Sequence, residues 1–310
     1  MAAIVISEFM DEDAIKRVLA GCDLLYDAGL VERRADLAAA LAGARALIVR
    51  NRTKVDAELL ARAPKLEAVG RLGVGLDNID LAACQARGIA VYPATGANDV
   101  AVVEYAIGAM LSLLRGAFSA TAAVIAGAWP RTKLLGHEAA GKQLGVIGFG
   151  AIGRKVGAAA SALGMRVVAH DPYVPPGDKA WGKVAARDLD TLLRESDVVT
   201  LHVPLTVETK NLLDRGRIAR MKRGAILINV ARGGVLDEAA VAEALRSGAL
   251  GGAALDVFEE EPLTKTRAQI FAGCANLILT PHIGGLTVEA NARVSLMVAE
   301  KIRDHLAGGR

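Results

Sequence analysis

Three glycines that follow an apolar run constrain the fold of this chain more than any other feature. Gly148, Gly150 and Gly153 come directly after the apolar run 144–147 and directly before a helical pattern over 152–163. In a strand, turn and helix of this kind, the first glycine makes the turn, the second lets the backbone approach a pyrophosphate, and the third lets the helix pack on the strand. The phosphates face the N-terminus of the helix. The motif therefore predicts a dinucleotide-binding βαβ unit.

An acidic residue stands at the end of the next predicted strand. The strand 166–170 is followed by Asp171. A carboxylate at this place accepts hydrogen bonds from a ribose with a free 2′-hydroxyl. The next residues, Pro172 and Tyr173, include no arginine that could hold a 2′-phosphate. The sequence therefore favours NAD over NADP as the cofactor.

Alternation of strands and helices along the whole chain predicts the architecture. Short β-branched runs alternate with helical patterns of about ten to fifteen residues, which is the signature of βαβ units. The first strands are expected at 4–6, 46–49 and 66–69. A second sheet of six parallel strands is expected at 143–147, 166–169, 198–201, 225–229, 252–255 and 277–279. We therefore predict an α/β protein with two doubly wound parallel-sheet domains and a cleft between them: a Rossmann-type cofactor domain and a smaller flavodoxin-like substrate domain.

The order of these runs predicts the domain boundaries. Residues 1–98 and 285–310 are expected to form the substrate domain, and residues 99–284 the NAD-binding domain. The last helical pattern, roughly 287–306, is expected to cross back to the first domain, which would bring both termini into one domain.

Composition argues against several other classes of protein. Hydrophobic residues make up 53% of the chain and aromatic residues 4%, which is typical of buried parallel strands under alanine-rich helices. The formal charge of +3 is spread along the chain, so no nucleic-acid partner is expected. Cys22, Cys84 and Cys274 lack the spacing of metal ligands, and no metal site is expected.

No membrane partner is expected either. The most apolar stretch, 101–114, contains Glu104 and is shorter than the roughly 20 residues that a membrane span needs. Because the first residues also lack a secretory pattern, we expect a cytoplasmic protein.

Three ionisable residues follow strands of the second predicted sheet. Arg232 follows the strand 225–229, Glu261 follows 252–255, and His282 follows 277–279. The carboxyl ends of parallel strands meet at one edge, so these side chains should converge. Reduction of a 2-keto acid needs a hydride donor, a proton donor for the forming alkoxide, and a cation that polarises the carbonyl. The nicotinamide, His282 and Arg232 supply one of each, and Glu261 would keep His282 protonated and fix its orientation.

These motifs together resemble a known family, the D-isomer-specific 2-hydroxyacid dehydrogenases, which include phosphoglycerate dehydrogenase. The resemblance covers nearly the whole chain, with the family's motifs in the family's order at 49–50, 70–80, 148–153, 202–206, 229–234, 254–262 and 280–285.

The resemblance implies a role for each matching residue. Arg232 resembles the substrate-orienting arginine, His282 the acid/base, and Glu261 the carboxylate paired with it, because the family's glutamate immediately precedes a proline. Asp256 resembles the residue that contacts the nicotinamide carboxamide. The implied cofactor-binding residues are Gly148, Gly150, Ala151, Ile152, Gly153, Asp171, His202, Pro204, Val230, Ala231, Asp256, Gly284 and Gly285.

The family also implies a homodimer. Its dimerisation arm corresponds to about 100–135, called the 100–135 segment below, which includes the sequence Trp129-Pro130-Arg131.

Arginines that follow the predicted strands 46–49 and 66–69 bear on the substrate. If strand alternation continues past 46–49, Arg50 and Arg52 lie on one face, and Arg71 comes just before the backbone amides of Val74 and Gly75, which resemble the family's carboxylate-binding amides. Three guanidinium groups suit a phosphate, a sulfonate or a second carboxylate. We therefore expect an anionic group at C3 of the substrate.

Within the family, the stretches 50–53, 70–75 and 129–131 resemble those of members that act on (S)-3-sulfolactate more than those of members that act on D-3-phosphoglycerate, which implies a sulfonate substrate. Phosphoglycerate stays an alternative. Hydroxypyruvate or glyoxylate would be the substrate if the arginines face solvent.

Other classes fit less well. A short-chain alcohol dehydrogenase needs a Tyr-x-x-x-Lys pair, and none of the four tyrosines has a lysine four residues later. Formate dehydrogenase needs no proton donor to an alkoxide, so the pair of His282 and Glu261 argues against it. A non-enzymatic NAD-sensing corepressor-like protein is a further alternative, and the presence of Arg232, Glu261 and His282 favours an enzyme.

Overall fold

The structure is a computed structural model that describes residues 2–308. The chain divides into two compact units, one formed by the residues up to Asn98 together with those from Leu286 onward, and the other by Asp99–Gly285. Each unit is built around its own parallel sheet with helices on both faces. The predicted fold class, two doubly wound parallel-sheet domains, is confirmed.

The first unit has a five-stranded sheet with the strand order β2-β1-β3-β4-β5. Its strands are β1 (Ile4–Ile6), β2 (Leu24–Tyr26), β3 (Ala46–Val49), β4 (Ala68–Arg71) and β5 (Ala90–Pro93). This order is the flavodoxin-like one. The strand predicted at 66–69 begins and ends two residues later than expected, because Gly70 and Arg71 carry no β-branched signal although they pair with β3 and β5.

The second unit has a seven-stranded sheet with the order β12-β11-β10-β9-β6-β7-β8. Its strands are β6 (Gln143–Ile147), β7 (Arg166–His170), β8 (Ala185–Ala186), β9 (Val198–Leu201), β10 (Ala225–Asn229), β11 (Leu250–Leu255) and β12 (Leu277–Leu279). The prediction of six strands was wrong by one. The missing strand, β8, has only two alanines and pairs with β7 at the sheet edge, so its sequence carries no strand signal.

The α-helices are α1 (Glu12–Val18), α2 (Arg34–Leu41), α3 (Ala57–Ala61), α4 (Leu81–Ala86), α5 (Asp99–Arg115), α6 (Thr121–Ile125), α7 (Ala151–Ala162), α8 (Leu189–Glu195), α9 (Arg215–Ala219), α10 (Glu238–Arg246), α11 (Lys265–Ala268) and α12 (Val288–Leu306). Short 3₁₀ helices cover Ala28–Glu32, Ala117–Ser119, Thr132–Leu134, Lys179–Trp181 and Gln269–Phe271.

Aspartates begin many of these helices. Their carboxylates accept a hydrogen bond from a backbone N–H of the first turn, which satisfies a donor that the helix itself leaves free. The capping aspartates are Asp11, Asp56, Asp80, Asp188, Asp214 and Asp237.

Helix α12 packs against the sheet of the first unit. Val298 and Ile302 are fully buried and belong to the same apolar cluster as Ile4, Ile48 and Ala68. A Cβ at Gly70 of β4 would lie 2.6 Å from a methyl group of Val298, so only glycine lets the helix approach this closely.

Helix α5 covers one face of the second sheet together with α7. Its buried residues Ala106, Met110 and Leu113 pack with Leu144 and Val146 of β6. This packing fixes the position of α5 against the strands whose ends carry the candidate site.

Within residues 2–308, no helix combines the length and the apolar character that crossing a membrane would require. Over the same residues, no cluster of three or more His, Cys, Asp or Glu side chains could hold a metal ion.

Candidate active site

The glycine loop lies between β6 and α7, and each of its three glycines meets a different requirement. Gly148 has φ +89°, and a Cβ there would lie 2.5 Å from the carbonyl oxygen of His202. A Cβ at Gly153 would overlap the carbonyl oxygen of Gly148, so α7 could not pack this closely on the end of β6 with any other residue there. Gly150 faces open space, since no atom lies within 4 Å of its hypothetical Cβ.

The N-terminus of α7 fits a pyrophosphate. Gly150 is the N-cap residue and supplies no side chain to the first turn, so the helix N-terminus is left to a ligand anion. Ala151 is exposed at this turn and Ile152 is half-buried. The residues present therefore fit the phosphates of a dinucleotide.

Asp171 connects the end of β7 to the glycine loop. Its carboxylate accepts hydrogen bonds from the N–H of Phe149 at 2.8 Å and from the N–H of Tyr173 at 3.0 Å. Each oxygen of an ionised carboxylate can accept more than one hydrogen bond. Asp171 can therefore also accept from a ribose hydroxyl, as the sequence predicts.

His202 follows β9 and packs against the glycine loop at Gly148. Its Nε2 lies 3.0 Å from the hydroxyl of Thr200, and its carbonyl oxygen occupies the space that the missing Cβ of Gly148 leaves. Burial lowers the pKa of His202 to about 4, so the imidazole is neutral at neutral pH. The next predicted cofactor residue, Pro204, is exposed, and its carbonyl accepts a hydrogen bond from Thr209 at 2.6 Å.

His282 and Glu261 form a hydrogen-bonded pair after β12 and β11. The Nδ1 of His282 lies 2.7 Å from an Oε of Glu261, and the two side chains are 32% and 30% exposed. His282 has φ +57°, a left-handed conformation that is uncommon for any residue except glycine. Because Nδ1 faces the carboxylate, Nε2 is the nitrogen left for a substrate.

The surroundings of Glu261 keep its carboxyl ionised. Partial burial by itself raises the pKa of this carboxyl, but a hydrogen bond and the positive charge from His282, a hydrogen bond from the N–H of Phe258, and the charge of Arg232 together lower it below its ordinary value. The carboxylate is therefore available to stabilise an imidazolium throughout the neutral range.

Arg232 lies on a loop that packs against the Glu261 loop. The buried Asn229, at the end of β10, holds this loop by donating to the carbonyl of Arg232 at 3.0 Å and accepting from the N–H of Ala231 at 3.1 Å. A Cβ at Gly233 would overlap the carbonyl of Phe258, which shows how closely the two loops approach. The structure thus brings Arg232, Glu261 and His282 together.

Asp256, at the end of β11, is 2% exposed. Its carboxylate accepts hydrogen bonds from the N–H groups of Ile283 and Gly284, at 2.8 and 2.7 Å, and from the hydroxyl of Thr280 at 2.6 Å. The contact with a nicotinamide carboxamide that the family implies stays a prediction. The structure adds a second role, because Asp256 holds the segment that carries His282.

The remaining predicted cofactor residues lie on the same loops. Ala231 is buried, Val230 and Gly285 are half-buried, and a Cβ at Gly284 would lie 2.9 Å from a carboxylate oxygen of Asp256.

The sequence assigns no role to two residues of this site, Thr280 and Tyr105. The hydroxyl of Tyr105 lies 2.5 Å from that of Thr280. Thr280 could have been found as a polar residue after a strand, but Tyr105 lies 175 positions away and has no local signal.

On the first unit, a buried carboxylate shapes the loop that follows β3. Glu8 is 4% exposed and accepts hydrogen bonds from the backbone N–H groups of Arg50, Arg52 and Thr53 at 2.8, 3.2 and 2.9 Å. Asn78 donates to the carbonyls of Arg50 and Thr53 at 3.1 and 2.7 Å.

This loop overturns the expectation that Arg50 and Arg52 share a face. The strand ends at Val49, so the alternation of side chains stops there. The guanidinium of Arg50 lies over the ring of Phe9 and donates to Asn291 at 2.5 Å. Burial lowers the pKa of Arg50, and the negative charge of Glu8 raises it by less. Arg52 instead forms an exposed ion pair with Glu32.

Arg71 ends β4 and is 8% exposed. Its Nη1 donates to the carbonyl of Leu72 at 2.8 Å, and a Cβ at Gly73 would overlap that same nitrogen. The loop of Val74 and Gly75 follows directly, with Val74 36% exposed.

Comparison with known proteins shows what the chain is similar to. The model of the D-isomer-specific 2-hydroxyacid dehydrogenase NAD-binding domain matches residues 107–284. An (S)-sulfolactate dehydrogenase of Chromohalobacter salexigens is 53% identical over 304 residues, which cover 98% of this chain and 98% of that protein. A D-3-phosphoglycerate dehydrogenase of Methanocaldococcus jannaschii is 40% identical over 314 residues, and the match covers 99% of this chain and 58% of that protein.

Solved structures agree with these relatives. A crystal structure of a Thermus thermophilus protein has a TM-score of 0.91 at 36% identity and covers 98% of this chain and 97% of that chain. The structure of D-lactate dehydrogenase from Aquifex aeolicus, complexed with NAD and lactic acid, has a TM-score of 0.87 at 29% identity, over 99% of this chain and 96% of that chain.

A dinucleotide loop and a paired histidine and glutamate on one parallel sheet define a nicotinamide-dependent dehydrogenase. The chain belongs to the D-isomer-specific 2-hydroxyacid dehydrogenase family, and it is an NAD-dependent enzyme that acts on a CH–OH group. The predicted family, enzyme class and cofactor are confirmed.

The open space at Gly150 leads to a prediction about cofactor binding. Gly150→Ala should leave the free energy of unfolding within about 0.5 kcal/mol of wild type, because φ is −76° and the new methyl group meets no protein atom. The same methyl group would occupy the place of the pyrophosphate and raise the dissociation constant of NADH at least about tenfold. Fluorescence titration with NADH and urea unfolding measure the two quantities.

Gly153→Ala is the matched comparison, since it adds the same methyl group where a carbonyl oxygen already lies. It should lower the free energy of unfolding by about 1–3 kcal/mol. Wild-type affinity for NADH in Gly150→Ala would rule out this loop as the pyrophosphate site.

Proposed function

We propose that this enzyme interconverts (S)-3-sulfolactate and 3-sulfopyruvate with NAD. One observation carries the substrate assignment: the identity to an (S)-sulfolactate dehydrogenase is 53% and extends over 98% of both chains, whereas the phosphoglycerate dehydrogenase relative is 40% identical and is covered to 58% of its length. The stereochemistry is consistent, because sulfur outranks the carboxyl carbon in the priority rules and the D-type arrangement is therefore named S in sulfolactate.

We propose these roles for the three residues of the second unit. His282 donates a proton from Nε2 to the C2 oxygen when the keto acid is reduced, and accepts one in the reverse direction. Glu261 binds the opposite nitrogen at 2.7 Å and stabilises the imidazolium. Arg232 binds the substrate carboxylate and polarises the C2 carbonyl. Bound NADH supplies the hydride.

The anion-binding residues are proposed from the first unit. Arg50 and Arg71 are the stronger candidates for the sulfonate, and the backbone N–H groups of Val74 and Gly75 for the carboxylate. Arg52 is the weaker candidate because its partner, Glu32, is negatively charged and would repel a sulfonate, whereas Asn291, the partner of Arg50, is neutral. Guanidinium groups donate two hydrogen bonds in one plane, which suits a sulfonate as well as a phosphate.

A substrate panel tests the assignment. We expect kcat/KM of NADH oxidation with 3-sulfopyruvate to exceed that with hydroxypyruvate by about 100-fold, since hydrogen bonds to a charged group contribute about 1.5–3 kcal/mol each. 3-Phosphohydroxypyruvate and glyoxylate complete the panel. Arg50→Met should remove most of the preference, whereas Arg45→Met, an exposed arginine of the same unit paired with Glu67 at 2.7 Å, should keep it.

If kcat/KM is highest with 3-phosphohydroxypyruvate, the anionic group that the enzyme recognises at C3 is a phosphate and not a sulfonate. The highest kcat/KM with hydroxypyruvate or glyoxylate would show that no second anion is recognised.

The acid/base role of His282 has its own test. His282→Asn should lower kcat by about 10²–10⁴-fold, the range typical of general acid–base catalysis, and leave the dissociation constant of NADH within about twofold. His137→Asn, an exposed histidine of the same unit, is the control. Unchanged turnover in His282→Asn would disprove the assignment.

We also propose a homodimer formed through the 100–135 segment. This segment exposes several large apolar side chains, and the most exposed are Phe118 at 73%, Ile125 at 82%, Trp129 at 75% and Leu135 at 81%. Apolar surface of this extent on one segment is typical of an interface.

Light scattering tests the dimer. The wild type should have twice the mass of the chain, and Ile125→Glu should shift it toward the monomer because a charge would be buried in the interface. Val288→Glu, at a position 83% exposed on α12, should stay a dimer. A monomeric wild type would contradict the proposal.

A further inference from the structure

A chain of side-chain hydrogen bonds runs from α5 to the segment that carries His282. The Oγ1 of Thr280 donates to Asp256 at 2.6 Å, and the hydroxyl of Tyr105 lies 2.5 Å from the same Oγ1. A threonine hydroxyl has one proton, which here goes to the carboxylate. Tyr105 must therefore be the donor to Thr280, and the direction of the whole chain is fixed.

The chain ends on the group that holds the histidine segment. Asp256 accepts the N–H groups of Ile283 and Gly284 with its carboxylate, and its backbone carbonyl accepts the N–H of His282 at 2.8 Å. These contacts keep His282 at φ +57°. A non-glycine residue in this conformation costs about 1 kcal/mol or more, so the surrounding hydrogen bonds must hold it there.

We propose that Tyr105 and Thr280 are positioning residues for proton transfer: they orient the Asp256 carboxylate, and through it hold the His282 imidazole in its productive place. The proposal rests on the acid/base role of His282 given above and is independent of which keto acid the enzyme prefers.

Tight packing around this chain supports the proposal. A Cβ at Gly284 would lie 2.9 Å from an Asp256 oxygen and 3.5 Å from the ring of Tyr105, so the segment cannot shift toward them. Burial raises the pKa of the Tyr105 hydroxyl, and the negative charge of Asp256 also raises it. The hydrogen bond with Thr280 lowers this pKa, but the net effect is a raised pKa. The hydroxyl therefore keeps the proton that it donates throughout the neutral range.

Three variants test the proposal: Tyr105→Phe, Thr280→Val and Thr280→Ser. Tyr105→Phe should lower kcat about fivefold, since it removes one hydrogen bond of the chain. Thr280→Val should lower kcat about 50-fold or more, because it deprives a buried carboxylate of a donor. Thr280→Ser keeps the hydroxyl and should restore kcat to within about twofold of wild type.

The readouts separate positioning from folding and from cofactor binding. The expected result is a fall in kcat with a KM for the keto acid and a dissociation constant for NADH within about twofold of wild type. The primary isotope effect with 4-deuterated NADH should rise as the chemical step becomes limiting. Tyr92→Phe is the matched control, since it removes a hydroxyl that bonds to His305 at 3.0 Å in the first unit, and it should keep wild-type kcat.

Any keto acid that the wild type reduces serves in this experiment. Wild-type kcat in both Tyr105→Phe and Thr280→Val would overturn the proposal. So would a fall in kcat that Thr280→Ser does not restore, or a loss confined to NADH affinity. If His282→Asn is inactive while Tyr105→Phe and Thr280→Val keep wild-type kcat, the positioning role of Tyr105 and Thr280 fails and the acid/base role of His282 stands. If His282→Asn keeps full turnover, the acid/base role fails and this proposal with it.

Discussion

The buried negative charge of Asp256 is the constraint on which the site depends. A carboxylate that is 2% exposed is stable only when hydrogen-bond donors surround it, and here the donors come from the segment after β12. The backbone N–H of Asp256 in turn donates to the carbonyl of Asn229 at 3.0 Å. Because Asn229 holds the Arg232 loop, the backbone and the carboxylate of Asp256 together connect the ends of three adjacent strands, β10, β11 and β12.

The first unit follows the same principle with a different acid. Glu8 is buried at the end of β1 and folds the Arg50 loop around its carboxylate by accepting three backbone N–H groups. In both units a buried carboxylate fixes a loop that carries a side chain of the proposed site. Pre-organisation of this kind lets a cation or an imidazole bind without first ordering its own backbone.

The sequence predicts those parts of the site that depend on local geometry. The glycine loop, Asp171 and the three residues after strands β10 to β12 follow from chain order and from the rule that parallel strands present their carboxyl ends at one edge. The contacts that depend on distant residues could not be predicted. Tyr105 reaches Thr280 from 175 positions away, and Glu8 accepts the N–H of Arg50, just past the end of the strand, from 42 positions away. The strand β8 also carried no signal, because only its pairing with β7 makes it a strand.

Helix α5 runs without interruption from Asp99 to Arg115. Seventeen helical residues span about 25 Å at about 1.5 Å per residue. Tyr105 lies in its first half, and the exposed apolar side chains from Phe118 to Leu135 follow its last turn. One continuous element therefore carries both the hydroxyl that lies 2.5 Å from that of Thr280 and the chain that leads into the exposed apolar surface.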